Sequence, residues 1–157
     1  MSKTQKLAVS GTVIALYIVV MYLTQSFAFG QYQVRIATAI YASAYLFPFL
    51  VVPLGLSNLL ANMVMGGLGF FDIVGGGLVG LLTAGCCALL GKQRVTEWSV
   101  LLPIALIPAL GVSLWLSRLL GIPYWTLAVS LLVGQAIAGA AGALLLKALK
   151  NVWRKTS

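Results

Sequence analysis

Charge is missing from five long stretches of this chain, and that constrains its fold more than any motif does. No Asp, Glu, Lys or Arg occurs in residues 7–34, 36–71, 73–91, 98–117 or 119–146. Each stretch is near or above the roughly 20 apolar residues that a helix needs to cross a bilayer. Of the 157 residues, 61% are hydrophobic and 8% charged, whereas a soluble domain carries about 25% charge. A water-soluble globular enzyme could not bury this excess, and disordered chains are polar and highly charged. The sequence therefore reads as an all-α polytopic membrane protein, a single integral membrane domain over 1–157.

The stretch 36–71 contains Pro48, Pro53 and Gly66-Gly67-Leu68-Gly69, so it divides into two helices near the prolines. Six transmembrane helices are expected, at about 7–27, 33–47, 51–65, 72–91, 98–120 and 124–150. The second and third are short for a full span at ~1.5 Å per residue. They are expected to tilt or to be shielded by neighbours, with part of their surface lining a cavity. Helix 1 has too long an apolar region for a cleavable signal peptide, and no small-x-small site follows it before Arg35.

An even number of spans puts both termini on one side. Lys3, Lys6, Lys92, Arg94, Lys147, Lys150, Arg154 and Lys155 lie there, against only Arg35 and Arg118 on the other. Basic residues collect on the cytoplasmic side of membrane proteins, so the termini and the 91–97 loop are expected to be cytoplasmic. Most of the net charge of +8 is then an orientation signal, and no nucleic-acid partner is needed to explain it.

Several activities lack their parts. The chain has no His, hence no imidazole base, no histidine proton relay and no His-ligated metal. Cys86 and Cys87 are adjacent on an apolar helix, point about 100° apart, and read as small packing residues rather than a redox or metal pair. No Walker A motif is present, and the spans hold no Ser-Lys, paired-Asp or HExxH arrangement. There is no chain of intramembrane carboxylates of the proton-pump kind and no inverted repeat. The expectation is not an enzyme but a six-helix binding module that needs an energised partner.

On this topology the outer end is also the polar and aromatic end. Tyr22, Gln25, Tyr32, Gln33, Arg35, Thr38, Tyr41, Asn58, Asn62, Asp72, Trp115, Tyr124 and Trp125 gather there, which suggests a pocket open to the outside. Asp72 begins helix 4, where a carboxylate can cap backbone N–H groups; it can equally face the pocket and pair with Arg35 or a ligand N–H. Arg35 is either an interfacial anchor or a planar fork for a ligand carbonyl or carboxylate. Asn58 and Asn62, four apart, share a helix face and suit either the edge of a heterocycle or hydrogen bonds between helices. Gln135 lies near mid-membrane, where an unsatisfied amide is costly, and so must face protein or cavity. Tyr41, Trp115 and Trp125 can stack on a flat ring, although Tyr124 and Trp125 equally fit the interfacial belt.

Small residues recur four apart at Gly76, Gly80 and Ala84 and at Gly134, Ala138 and Gly142, a spacing that lets helices pack closely inside the bundle. On helix 1, Ala8, Gly11, Thr12 and Ala15 form a smooth stripe suited to docking on a partner membrane protein.

Three segments, Tyr32-Gln-Val-Arg35-Ile, Leu59-Leu-Ala-Asn62 and Gly67-Leu-Gly-Phe-Phe-Asp72-Ile-Val-Gly75-Gly, resemble the QueT family. Members are substrate-binding (S) components of energy-coupling factor (ECF) transporters associated with queuosine precursors. The resemblance implies a six-helix bundle of the S-component type in a prokaryotic plasma membrane, with both termini cytoplasmic. It implies a pocket near the outer helix ends holding a small vitamin-like molecule such as a 7-deazaguanine. The candidate substrate-contacting residues, read from the chain itself, are Arg35, Thr38, Tyr41, Asn58, Asn62, Asp72, Trp115 and Gln135. The implied partners are membrane lipid, a transmembrane scaffold (T) subunit and two ATPases that alone consume ATP, the chain itself needing no cofactor. By the same analogy, Ala8, Gly11, Thr12 and Ala15 form part of the docking face of a module that topples in the bilayer.

The chain departs from that pattern near the substrate. Ala37-Thr38-Ala39 stands where the family has Ser-Glu-Ala after the Arg, Gly134-Gln135 stands for Gly-Glu, and an Asn of helix 5 is replaced near Pro108. Two potential carboxylates are thus missing: Asp72 alone can still hold a cationic aminomethyl deazaguanine, and a neutral heterocycle or an anionic vitamin beside Arg35 becomes plausible. The alternatives are a membrane assembly protein that packs on partner helices and a self-sufficient small carrier or channel.

Overall fold

Peptide groups without water must satisfy one another, and a single segment can do so only by coiling. The computed structural model describes residues 1–28, 34–65 and 68–156, less the side chains of residues 27 and 153–156. Tyr32, Gln33, the Gly66-Gly67 pair and the side chains of Arg154 and Lys155, all invoked above, lie outside the described residues. Every element among the described residues is helical: α1 (Lys3–Leu23), α2 (Gln25–Ala28), α3 (Val51–Val64), α4 (Phe70–Lys92), α5 (Leu101–Leu120) and α6 (Tyr124–Thr156). Three 3-10 helices join them, η1 (Ile36–Tyr45), η2 (Pro48–Leu50) and η3 (Glu97–Val100).

Four of the six expected spans are long and apolar enough to cross a membrane: Lys3–Leu23, Phe70–Lys92, Glu97–Leu120 and Tyr124–Val152. The remaining two, Ile36–Tyr45 and Pro48–Val64, are shorter apolar helices.

The boundaries moved for local reasons. Helix 1 was expected at 7–27, but Ser2 and Gln5 form a capping box: the Ser2 hydroxyl accepts from Gln5 N at 3.2 Å and the Gln5 side chain accepts from Ser2 N at 2.8 Å. Two orphan N–H groups are satisfied at once, so α1 starts at Lys3 and breaks at Thr24 before the short α2. Helix 6 runs past 150 to Thr156. Helix 5 ends as expected, at Leu120, because Gly121 adopts the left-handed conformation (φ 67°) that closes a helix at least cost.

The larger correction concerns helix 2, expected as a helix over 33–47. The segment is a ten-residue 3-10 helix, long for a form that seldom exceeds three or four residues. All of Ala37–Tyr45 is buried, with η1 running between α4 and α6 and α1 laid against it. Its neighbours come to the backbone itself: a Cβ at Gly142 would stand 3.1 Å from the Ala39 carbonyl oxygen. At three residues per turn, residues three apart stand in one row, so Thr38 and Tyr41 project one above the other.

Around this thin axis α5 pairs with α6 and α3 with α4. One apolar cluster collects Tyr17, Met21, Tyr41, Leu50, Leu54, Ile104 and Leu146, and a second joins Val79, Val112, Leu116, Leu127 and Leu131. One end of the bundle holds many of the cations. Lys6 lies 5.7 Å over the Phe49 ring, and Lys150 lies 5.0 Å over Tyr45 and pairs with Glu97 at 2.6 Å. The Tyr45 hydroxyl donates to the Val95 carbonyl at the same end.

Candidate functional site

Away from that basic end, buried polar side chains from four elements converge. Arg35, which precedes η1, is 4% exposed; a guanidinium at such depth must be hydrogen-bonded. Its Nη1 donates to Asn58 Oδ1 at 3.3 Å and to Asn62 Oδ1 at 3.2 Å. The two asparagines share a face of α3 because they are four apart, and their amide nitrogens reach α4: Asn58 Nδ2 donates to the Gly76 carbonyl at 2.8 Å, Asn62 Nδ2 to the Asp72 carbonyl at 2.9 Å. Each amide thus spans Arg35 and α4.

Glycine makes this approach possible at two positions. A side chain at Gly76 would collide with Asn62 Nδ2, and one at Gly80 would stand 2.9 Å from the Tyr41 hydroxyl and 3.3 Å from Asn58 Cβ. The row of small residues on α4 is therefore a seat for polar groups as well as a packing face.

Thr38 Oγ1 lies 2.7 Å from the Arg35 carbonyl and 3.0 Å from Gln135 Oε1. A hydroxyl has one proton, so Thr38 donates to one of these acceptors at a time. Through Thr38, the α6 amide of Gln135 joins the group.

Both carboxylate oxygens of Asp72 are taken by N–H donors. It is the third residue of α4, and its Oδ2 accepts from the Leu68 backbone N–H at 3.2 Å in the preceding turn. Its Oδ1 accepts from the Trp115 indole at 3.1 Å, tying α4 to α5. The ion pair among the described residues is Lys150–Glu97; Arg35 is held by neutral amides and Asp72 by N–H donors, so the Arg35–Asp72 pairing left open by the sequence is not formed.

Tyr41 completes the group. Its hydroxyl lies 3.2 Å from that of Tyr17, and the rings stack with centroids 5.7 Å apart at 27°. Tyr17 was missed by sequence reasoning. The one available signal was a tyrosine inside an uncharged span, where the hydroxyl needs a partner. The eight expected residues, Arg35, Thr38, Tyr41, Asn58, Asn62, Asp72, Trp115 and Gln135, thus form one neighbourhood spread over η1, α3, α4, α5 and α6. Trp125 lies apart, 71% exposed on α6, with Tyr124 against it edge to face at 5.1 Å. Among the described residues no group of three His, Cys, Asp or Glu side chains could hold a metal ion.

The α1 stripe lies on the outside. Ala8, Gly11, Thr12 and Ala15 are all exposed, nothing lies within 4 Å of a Cβ built on Gly11, and Thr12 returns its hydroxyl proton to the Ala8 carbonyl at 3.0 Å. Only Tyr17 and Met21 of α1 are buried.

No curated protein and no solved structure matches the chain. The apolar helices enclosing a buried polar group are those of a multi-pass membrane protein, and the family model described as QueT transporter matches residues 7–151, nearly the whole length. On that match, the chain belongs to the QueT transporter family.

Proposed function

We propose that this chain is the substrate-binding (S) subunit of an ECF-type transporter, a six-span module that captures a small planar heterocycle outside and delivers it inward. The observation that carries this reading is the buried group built on Arg35, Asn62, Asp72 and Gln135 inside a transporter-family chain. A guanidinium, two asparagine amides, a glutamine amide and a carboxylate offer donors and acceptors to the edge of a heterocycle, while Trp115 and Tyr41 offer ring faces.

The substrate class is a queuosine precursor such as a 7-deazaguanine, or a related heterocycle. Thr38 and Gln135 are neutral, and Asp72 is the sole carboxylate in the neighbourhood. A neutral or anionic ligand seated toward Arg35 therefore suits this chain better than one with a cationic side arm.

The chain is proposed to work without a cofactor of its own, in a prokaryotic plasma membrane, with both termini and the 91–97 loop cytoplasmic. Energy comes from two ATPases through a transmembrane scaffold (T) subunit, and Ala8, Gly11, Thr12 and Ala15 form part of the face that meets it. Their exposure and the shallow burial of α1 support this.

A second reading has its own observation. Asn58 and Asn62 already use a carbonyl and an N–H each to bind Arg35 to α4, as they would in a membrane assembly protein. A thermal-shift screen with 7-deazaguanines, purines, pteridines and B vitamins separates the two, together with uptake in cells whose ATPase is intact or inactivated. A ligand-dependent shift and ATPase-dependent uptake support the S-subunit reading. Transport at full rate by the chain reconstituted alone overturns it, and no shift with a partner complex that moves no substrate favours assembly.

A further inference from the structure

Three apolar grooves on the outside of the bundle differ in one respect. The groove between α3 and α4, about 240 Å³, is lined by apolar residues and glycine alone. A second, about 460 Å³, runs from Cys86 to Pro103 with no charged residue in its lining. The third, about 580 Å³, lies where the end of η1, η2 and the start of α3 face the last turns of α4, and its lining includes Lys92.

The walls of this third groove include Leu46, Pro48, Val51 and Leu89, with Gly85 and Ala88 as small residues between them. A Cβ at Gly85 would meet nothing within 4 Å, so the groove is open above it. At Gly91, by contrast, a Cβ would collide with the Tyr45 carbonyl, so the walls touch beside Lys92. From Gly85 to Lys92 the groove follows roughly 10 Å of α4 at 1.5 Å per residue.

Lys92 is exposed, and both acids of the chain are engaged elsewhere: Glu97 by Lys150, Asp72 by Leu68 and Trp115. An apolar trough ending at a lysine without a carboxylate partner is complementary to one molecular shape, an acyl chain with an anionic head. We infer that this groove binds one anionic phospholipid, its acyl chain along Gly85–Leu89 and its phosphate at Lys92. Bulk lipid tails are as apolar as the trough, so the tail gains from shape while the lysine selects for charge; basic pockets between spans hold anionic head groups in this way. The inference needs only that the chain spans a membrane and is independent of the substrate reading.

The test is native mass spectrometry of the full chain released from micelles containing equal phosphatidylglycerol and phosphatidylcholine. The expected wild-type result is one retained phosphatidylglycerol, favoured about fivefold, the factor given by the ~1 kcal/mol of a basic residue near an anionic surface. Lys92→Gln is expected to bring the two lipids to parity, and Gly85→Leu, whose new side chain points into open space, to retain neither. Arg118→Gln, at the far end of α5, is expected to behave as wild type. Equal retention of the two lipids by the wild-type chain, or unchanged phosphatidylglycerol in both variants, overturns the inference. So does a Gly85→Leu variant that changes recovery of a dimer or partner complex but not of lipid, because the groove is then a protein interface.

Discussion

The side-chain oxygen of Asn62 accepts a hydrogen bond from Arg35 Nη1 at 3.2 Å, while its nitrogen donates to the Asp72 carbonyl at 2.9 Å. One amide therefore joins the chain before η1 to the first turn of α4, at a point where all three residues are buried. Removing it takes one of two asparagine acceptors from Arg35 Nη1, which keeps Asn58 at 3.3 Å, and a donor from the Asp72 carbonyl. Losing a hydrogen bond to a charged group costs about 1.5–3 kcal/mol.

Asn62→Ala is accordingly expected to lower stability by about 2–3 kcal/mol and Tm by roughly 4–10 °C. The bundle should remain folded while ligand affinity falls. Thermal unfolding in detergent, with and without ligand, checks this; an unchanged Tm would mean that water or a neighbour replaces both contacts.

Tyr17 and Tyr41 share one hydroxyl contact. Tyr17→Phe and Tyr41→Phe are each expected to cost about 0.5–1.5 kcal/mol, the net worth of a hydrogen bond. The double variant should cost clearly less than their sum, since both remove the same interaction. A double-mutant cycle on unfolding free energies measures this, and strict additivity would show that the hydroxyls do not interact.

Two glycines of α4, five residues apart, should respond oppositely to alanine. At Gly80 the new methyl would stand 3.2 Å from Gly55 Cα and 2.9 Å from the Tyr41 hydroxyl, and overpacking of this kind costs about 1–3 kcal/mol. At Gly85 it meets nothing within 4 Å, so the better helix propensity of alanine should add up to about 1 kcal/mol. The signs of the two Tm shifts decide the matter.

Asp72→Asn keeps an oxygen able to accept from Trp115 but removes the charge. If the carboxylate contacts substrate, affinity is expected to fall about tenfold or more, the equivalent of ~1.4 kcal/mol, with the bundle still folded. Titration of the variant by calorimetry tests this; unchanged affinity would assign Asp72 to the Leu68 turn and to Trp115 alone.

On α1, Gly11→Leu or Ala15→Leu is expected to spare ligand binding and abolish recovery of the scaffold and ATPases, because bulk on an exposed stripe blocks close helix approach. Retained ATPase-dependent uptake would reject the stripe as a docking face.

Much of the candidate site was legible because membrane burial makes polar residues rare and therefore informative. Arg35, Asn58, Asn62, Asp72 and Gln135 stand out in stretches that are otherwise apolar, and each of them is buried. Their partners were not legible. The shared helix face of Asn58 and Asn62 follows from spacing alone. That they would hold Arg35 and two α4 carbonyls, and that Asp72 would take Trp115 instead of Arg35, depends on how the helices are set against one another.

Helix 2 marks the same boundary. Ile36–Tyr45 contains four alanines, the best α-helix formers, so its local preference is for an ordinary α-helix. The 3-10 form comes from enclosure by α1, α4 and α6, where small side chains and Gly142 let neighbours reach the backbone. That pitch, in turn, sets Thr38 toward Gln135 and Tyr41 toward Tyr17 in one row. The sequence by itself determined helical structure and the candidate polar residues, because hydrophobicity and charge act through composition and position along the chain. Only the tertiary structure decided the pairing of those residues and the pitch of the central helix, because both arise from contacts between segments that no local preference specifies.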